Sequence, residues 1–154
     1  MTNAGVGGNT VAAPAPTGQV RLPERLPQWL QSTNWSYLLI FAGINDVWSV
    51  SPTATCNALL ECLLMGLNAG VATRLCTLTP FSAVWPYNAI AEANRQGINA
   101  WLRSCFGSTP YLLDFETALV GSDGFMKPEY SADGLHPNPY GHLRLADAAY
   151  PVLC

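Results

Sequence analysis

From Tyr37 to Ala42 every residue is apolar, and the run halts at Gly43-Ile44-Asn45-Asp46, a glycine followed by the side-chain polar groups of a turn. A run of this length reads as a strand, and its abrupt polar stop marks the strand's C-terminal end. Ser51-Pro52 then supply an N-cap and first turn for a helix that continues to about Asn68 and is stopped by Gly70. Within it Leu59, Leu60, Leu63, Leu64 and Leu67 recur at helical spacing and are expected to face a sheet. A second strand follows at Ala72–Leu78. Strand, helix and strand in this order imply parallel neighbours joined by a crossover helix, which narrows the fold to an α/β sheet covered by helices.

The remaining pattern extends the same alternation. Pro23 to Ser32 reads as a short helix with Leu26, Trp29 and Leu30 on one face. Tyr87 to Ser104 reads as a helix that buries Ile90, Ala91, Ile98, Trp101 and Leu102 and tolerates Gly97 at some cost. Tyr111–Phe115 is a short strand, the segment from Gly121 to Pro139 a loop, and Tyr140 to about Val152 a closing helix. The 154 residues fit one domain. Hydrophobic residues are 49% and charged ones 11%, ample material for a core, and the net charge of −3 with Lys127 as sole lysine argues against a nucleic-acid footprint. No apolar stretch approaches the roughly 20 residues of a membrane helix.

Five cysteines, Cys56, Cys62, Cys76, Cys105 and Cys154, show no metal-ligand spacing. Cys76 lies in an expected strand and reads as a small core residue. A disulfide among Cys56, Cys62 and Cys105 stays open, and with it the compartment, an extracytoplasmic one being favoured over the cytoplasm.

Chemistry concentrates in three motifs. Ser131-Ala-Asp-Gly-Leu-His-Pro-Asn138 places a carboxylate three residues before an imidazole in a segment that cannot be helical throughout. Gly134 permits a turn and Pro137 biases His136 away from helical geometry, so Asp133 can fold back onto one ring nitrogen and leave the other as a base. Asn45, at the end of the first strand, could offer an amide N–H to a developing oxyanion. Asn3-Ala-Gly-Val-Gly-Gly-Asn-Thr10 could offer a backbone N–H at Gly8.

Taken in this order, the three motifs resemble those of the SGNH hydrolases, the GDSL esterase/lipase family. Asn3 to Thr10 resembles its second block, Gly43-Ile44-Asn45-Asp46 its third, and Asp133-Gly-Leu-His136 its fifth. The resemblance implies a three-layer α/β/α, flavodoxin-like fold and ester hydrolysis by serine acyl transfer without metal or organic cofactor. Asp133 and His136 would complete a triad, and Gly8 and Asn45 would be the oxyanion donors. The implied substrate is a small-molecule, lipid or carbohydrate ester. The family's first block, a strand ending in Gly-Asp-Ser, is not found within residues 1–154. The expectation is therefore of a single SGNH-like domain that is N-terminally incomplete, whose nucleophile lies outside this sequence and which is inactive alone. Gly121-Ser122-Asp123 carries the right residues in reversed order and reads as a surface turn. The resemblance also places the absent strand beside Tyr37–Ala42, leaving that edge open to self-pairing.

Aromatic residues follow two strand ends, Trp48 after the Asn45 motif and Phe81 and Trp85 after the second strand; they are candidate substrate contacts or core. Two alternatives accompany the hydrolase reading: a degenerate or truncated chain kept for binding, and a metal-dependent hydrolase built on Asp133, His136 and His142.

Overall fold

The computed structural model describes residues 2–86 and 88–153. A parallel sheet of order β1-β2-β3 is formed by Tyr37–Ile40, Ala72–Cys76 and Leu112–Leu113. Tyr37 registers with Ala72 and Leu39 with Arg74, while Leu75 registers with Leu112 and Cys76 with Leu113. Helices α1 (Leu22–Ser32), α2 (Pro52–Asn68) and α3 (Ala89–Phe106) accompany one face; α4 (Phe115–Leu119) and α5 (Pro139–Leu153) cover the other.

Strand alternation divides the core between these layers. Ile40 and Leu75 join Leu26, Leu59, Leu63, Ile98 and Leu102 on the α1–α3 side. Cys76 and Leu113 join Phe115, Leu119, Met126, Leu145 and Ala149 on the other. The expected three-layer α/β/α fold is the observed one.

The strands are shorter than the apolar runs suggested. β1 ends at Ile40, β2 at Cys76, and Tyr111–Phe115 reduces to Leu112–Leu113 because Asp114 caps a new helix, its carboxylate accepting from Thr117 N. Helix α2 begins as expected, with Ser51 Oγ accepting from Ala54 N at 3.3 Å. Its buried stripe differs: Leu59 and Leu63 are buried, Leu64 is 49% exposed, and Cys56, Cys62 and Gly66 face inward. The start expected for α3 at Tyr87 lies outside the described residues; Asn88 caps the helix by accepting from Ile90 N and Ala91 N, both at 3.0 Å. Ile90, in that first turn, is 72% exposed rather than buried.

Cys56 and Cys62 are buried free thiols, raised to about 11 and about 12 by burial, and Cys105 is exposed and free. Among the described residues no helix is long and apolar enough to cross a membrane.

Gly66 sets the spacing of helix and sheet. A Cβ there would stand 2.1 Å from Thr73 Oγ1 and 3.1 Å from Leu38 Cδ2. Gly66→Ala is therefore expected to lower stability by about 1–3 kcal/mol despite alanine's better helix propensity. In a Thr73→Ala background, thermal melts should show most of that loss relieved; equal losses in both backgrounds would mean the contact is not limiting.

Candidate active site

The loop from Ser131 to Pro137 folds on its own polar groups. Asp133 Oδ1 accepts the N–H of Leu135 at 2.9 Å and of His136 at 2.8 Å, an Asx-type turn that Gly134 completes with φ of +86°. That turn swings the imidazole back, so His136 Nδ1 stands 2.7 Å from Asp133 Oδ2. With the carboxylate ionised, Nδ1 carries the shared proton and Nε2 keeps its lone pair. The His136 side chain is 76% exposed, leaving Nε2 accessible. The hydrogen bond from the His136 ring, then the backbone N–H groups of His136 and Leu135, hold the Asp133 carboxyl well below the usual carboxylate range.

Ser131 is a residue the sequence reading missed. Its side chain is almost wholly buried; Oγ accepts from Gly134 N at 2.9 Å and lies 3.2 Å from Asp133 Oδ1 and 2.9 Å from the His136 carbonyl. The signal was available, a serine two residues before the aspartate of a turn, but only the fold shows its hydroxyl inside the turn.

The loop is also held from outside. Gly134 O accepts Ser82 N at 2.8 Å, and a Cβ on Gly134 would meet Ser82 Oγ at 2.6 Å and Trp85 N at 2.7 Å. Trp85 thus packs against the Asp–His turn. Phe81 is 4% exposed, and Trp48, 41% exposed, lies on it with ring centroids 5.4 Å apart. The cavity beside His136 has a volume of about 110 Å³ and is walled by Phe41, Ala42, Ile44, Leu78, Thr79, Leu135 and Pro137. Trp48, Phe81 and Trp85 are not in that lining; Phe41, which sequence reading left as strand, is.

Ile44 in that wall leads directly to Asn45 and Asp46. Asn45 Nδ2 donates to the carbonyl of Asn9 at 2.9 Å, one residue beyond Gly8. Gly8 has φ of +72° in a turn closed by Asn9 N to Val6 O at 3.1 Å, and its own N–H makes no hydrogen bond among the described residues. The two expected oxyanion donors therefore belong to one linked turn pair.

Asp46 makes that link rigid. Its fully buried carboxylate accepts Val11 N at 3.0 Å and Ala12 N and Ala13 N at 2.7 Å each. Among the described residues no group of three His, Cys, Asp or Glu gathers as a cation site, so Asp133, His136 and His142 do not form one.

The sequence profile of the GDSL-like lipase/acylhydrolase family matches residues 1–144. Among solved structures, an acylhydrolase from Bacteroides fragilis, described as putative, aligns with a TM-score of 0.79 at 18% identity, covering 96% of this chain and 71% of its own. The aryl esterase of M. smegmatis gives 0.71 at 16%, covering 94% and 73%. A GDSL-like lipase from Bacteroides thetaiotaomicron gives 0.65 at 19%, covering 77% of this chain; the chain spans 62% of that lipase. No curated protein matches.

Asp46→Asn replaces one acceptor oxygen by a donor amide facing the N–H groups of Val11–Ala13. The expected cost is about 1.5–3 kcal/mol, the scale of hydrogen bonds to a charged group. Hydrogen exchange at Val11, Ala12 and Ala13 should accelerate with it; unchanged protection would show that the N-terminal loop is anchored elsewhere.

Proposed function

Because the chain belongs to the GDSL-like lipase/acylhydrolase family, we propose that it hydrolyses carboxylic esters by acyl transfer, with His136 as general base, Asp133 as its orienting carboxylate, and Gly8 N–H and the Asn45 amide as oxyanion donors. The observation that carries this reading is the 2.7 Å contact of Asp133 with His136, on an exposed imidazole that opens onto an apolar cavity. A carboxylate on Nδ1 fixes the tautomer and stabilises the imidazolium formed when Nε2 takes a proton.

The nucleophile is a serine supplied from outside residues 1–154. Asp133 is the only hydrogen-bond partner of the His136 ring among the described residues. Where that serine is in place, Nε2 removes its proton as Oγ attacks the ester carbonyl. Its oxygen then becomes the oxyanion received by Gly8 and Asn45, and the imidazolium returns the proton to the departing alcohol. Asn45 has a second amide hydrogen beyond the one given to Asn9, so its structural bond and its catalytic one are compatible. The apolar lining of the cavity, with Phe41, Ile44, Leu78 and Leu135, suits an acyl or aryl portion of the substrate.

Two measurements test this. The 154-residue chain alone should not be labelled by a fluorophosphonate; labelling of a serine within it would mean that the chain holds its own nucleophile. In protein carrying its serine, His136→Ala should remove ester hydrolysis by several orders of magnitude. Asn45→Ala should cost about 10²–10³ in turnover, and His142→Ala should leave turnover unchanged. Near-normal turnover of His136→Ala would overturn the assignment.

The pH profile follows from the same pair. The base must offer a free Nε2 lone pair to the serine proton, so activity should rise with pH through a single acid-side step. Asp133, held ionised below the usual carboxylate range, should add no second acid-side step above about pH 4. Two acid-side steps in kcat/KM would show that the carboxylate titrates within the working range.

A further inference from the structure

We propose that Thr79 determines specificity: its hydroxyl contacts the acyl portion of the ester and selects acyl groups that carry an ether or hydroxyl oxygen over plain alkyl ones, a role that rests on the ester-hydrolase reading of the same site. Among the described residues that wall the cavity beside His136, Thr79 alone adds a polar side chain to that of His136. It is 5% exposed, and its hydroxyl makes no hydrogen bond among the described residues. The other buried threonines differ. Thr10 donates to Ala13 O at 2.7 Å, Thr73 to Val71 O at 2.9 Å and Thr77 to Asp114 at 3.0 Å, while the unpartnered Thr55 Oγ1 is sealed within the core. Thr79 has the cavity beside it instead. An unpaired hydroxyl in apolar surroundings costs free energy, so it takes its partner from whatever fills that space.

Water is the default partner of such a group. An acyl group that displaces it must restore the bond or leave the hydroxyl orphaned, and a plain alkyl chain does the latter. An ether or hydroxyl oxygen accepts from Thr79 Oγ1, while the rest of the acyl group lies against Phe41, Ile44, Leu78 and Leu135. The contact is preorganised. Leu78, the residue before, is held at both backbone groups by the Asn99 amide, at 2.8 Å each. Pro80, the residue after, biases Thr79 towards extended backbone, and the β-branched side chain is stiff at χ1. Thr79 continues from β2, the central strand, with β1 and β3 on either side, so its place is set from inside the sheet rather than at an edge.

The test compares phenyl methoxyacetate with phenyl butanoate, whose acyl portions have the same length, as substrates of protein carrying its serine. Thr79→Val keeps the side-chain shape and removes the hydroxyl. It should lower the preference for methoxyacetate over butanoate, as a ratio of kcat/KM values, by at least about fivefold, the low end of the cost of orphaning a hydrogen-bonding group. The intrinsic reactivities of the two esters cancel in that comparison between proteins. Thr79→Ser, which keeps the hydroxyl, should retain the preference. Thermal melts of the 154-residue chain should show no fall in Tm for Thr79→Val, because the hydroxyl it loses has no protein partner. An active Thr79→Val enzyme with unchanged preference would overturn the proposal, leaving the hydroxyl a water site only and the hydrolase reading intact. A lower Tm for Thr79→Val, restored in Thr79→Ser, would overturn it by revealing a structural hydrogen bond. If protein carrying its serine hydrolyses neither these esters nor any other, the hydrolase reading itself fails and the role of Thr79 falls with it.

Discussion

A buried carboxylate with no countercharge among the described residues anchors the loop that precedes α1. Asp46 is fully buried, and its charge is met by the consecutive N–H groups of Val11, Ala12 and Ala13. Burying an unpaired charge is prohibitively costly, but a concave run of backbone donors solvates it much as water would. The segment before α1 has no regular structure of its own, so its position depends on such bonds. Asn45 fixes Asn9 through the carbonyl, and Arg25 reaches Asn9 Oδ1 at 3.3 Å and Ala4 O at 2.8 Å. Gly8 is consequently held beside the turn that ends β1, and Gln19 of the intervening loop adds to this by donating to Gly7 O and accepting from Asn9 Nδ2.

A second polar unit performs the corresponding task at the ends of β2 and β3. Past Cys76 the strand ladder has stopped, yet Leu78 is gripped by Asn99, whose side-chain amide accepts from its N–H and donates to its carbonyl, both at 2.8 Å. Arg95, almost wholly buried, is paired with Glu92 and Glu116, and Arg103 pairs with Asp114 and Glu116. Burial works against the Glu116 charge, but the two guanidinium groups override it and keep the carboxyl below its ordinary range. Buried ion pairs of this sort are weak evidence of net stability. Their effect here is positional: Leu78 is a wall of the cavity beside His136, and the network determines where that wall stands.

The legible parts of the chain were those whose partners are close in sequence. Ser51-Pro52 and Gly70 bound α2 as read, and Asp133 meets His136 across three residues of turn chemistry. What escaped reading depends on distant partners. Leu64 has the spacing of a core residue, but the close approach of Gly66 to Thr73 orients α2 so that Leu64 is half-exposed. Arg95 and Asn99 look like solvated helix positions until Leu78 and Glu116 are placed beneath them. Phe115 has the apolar character of a strand residue, but Asp114, as an N-cap, turns it into the first residue of α4. Of the aromatic residues after β2, Phe81 falls in the core while Trp85 packs on the Asp133–His136 turn.

That last contact bears on how an exposed pair keeps its geometry. Asp133 is half-exposed, so its depressed ionisation arises from hydrogen bonds rather than from a low-dielectric setting, and it lasts only while the turn is closed. By linkage, a carboxylate depressed in the folded state favours folding above its unfolded pKa, and the contribution fades as pH falls through the folded value. Solvent screening at such a site makes that contribution small. The turn therefore needs mechanical support from the body of the protein. Ser82 N bonds to Gly134 O, and Trp85 occupies the space a side chain on Gly134 would need. Any residue but glycine at 134 would both strain a φ of +86° and push against Ser82 and Trp85, so the glycine in Asp-Gly-Leu-His is required twice, once by the backbone and once by its neighbours.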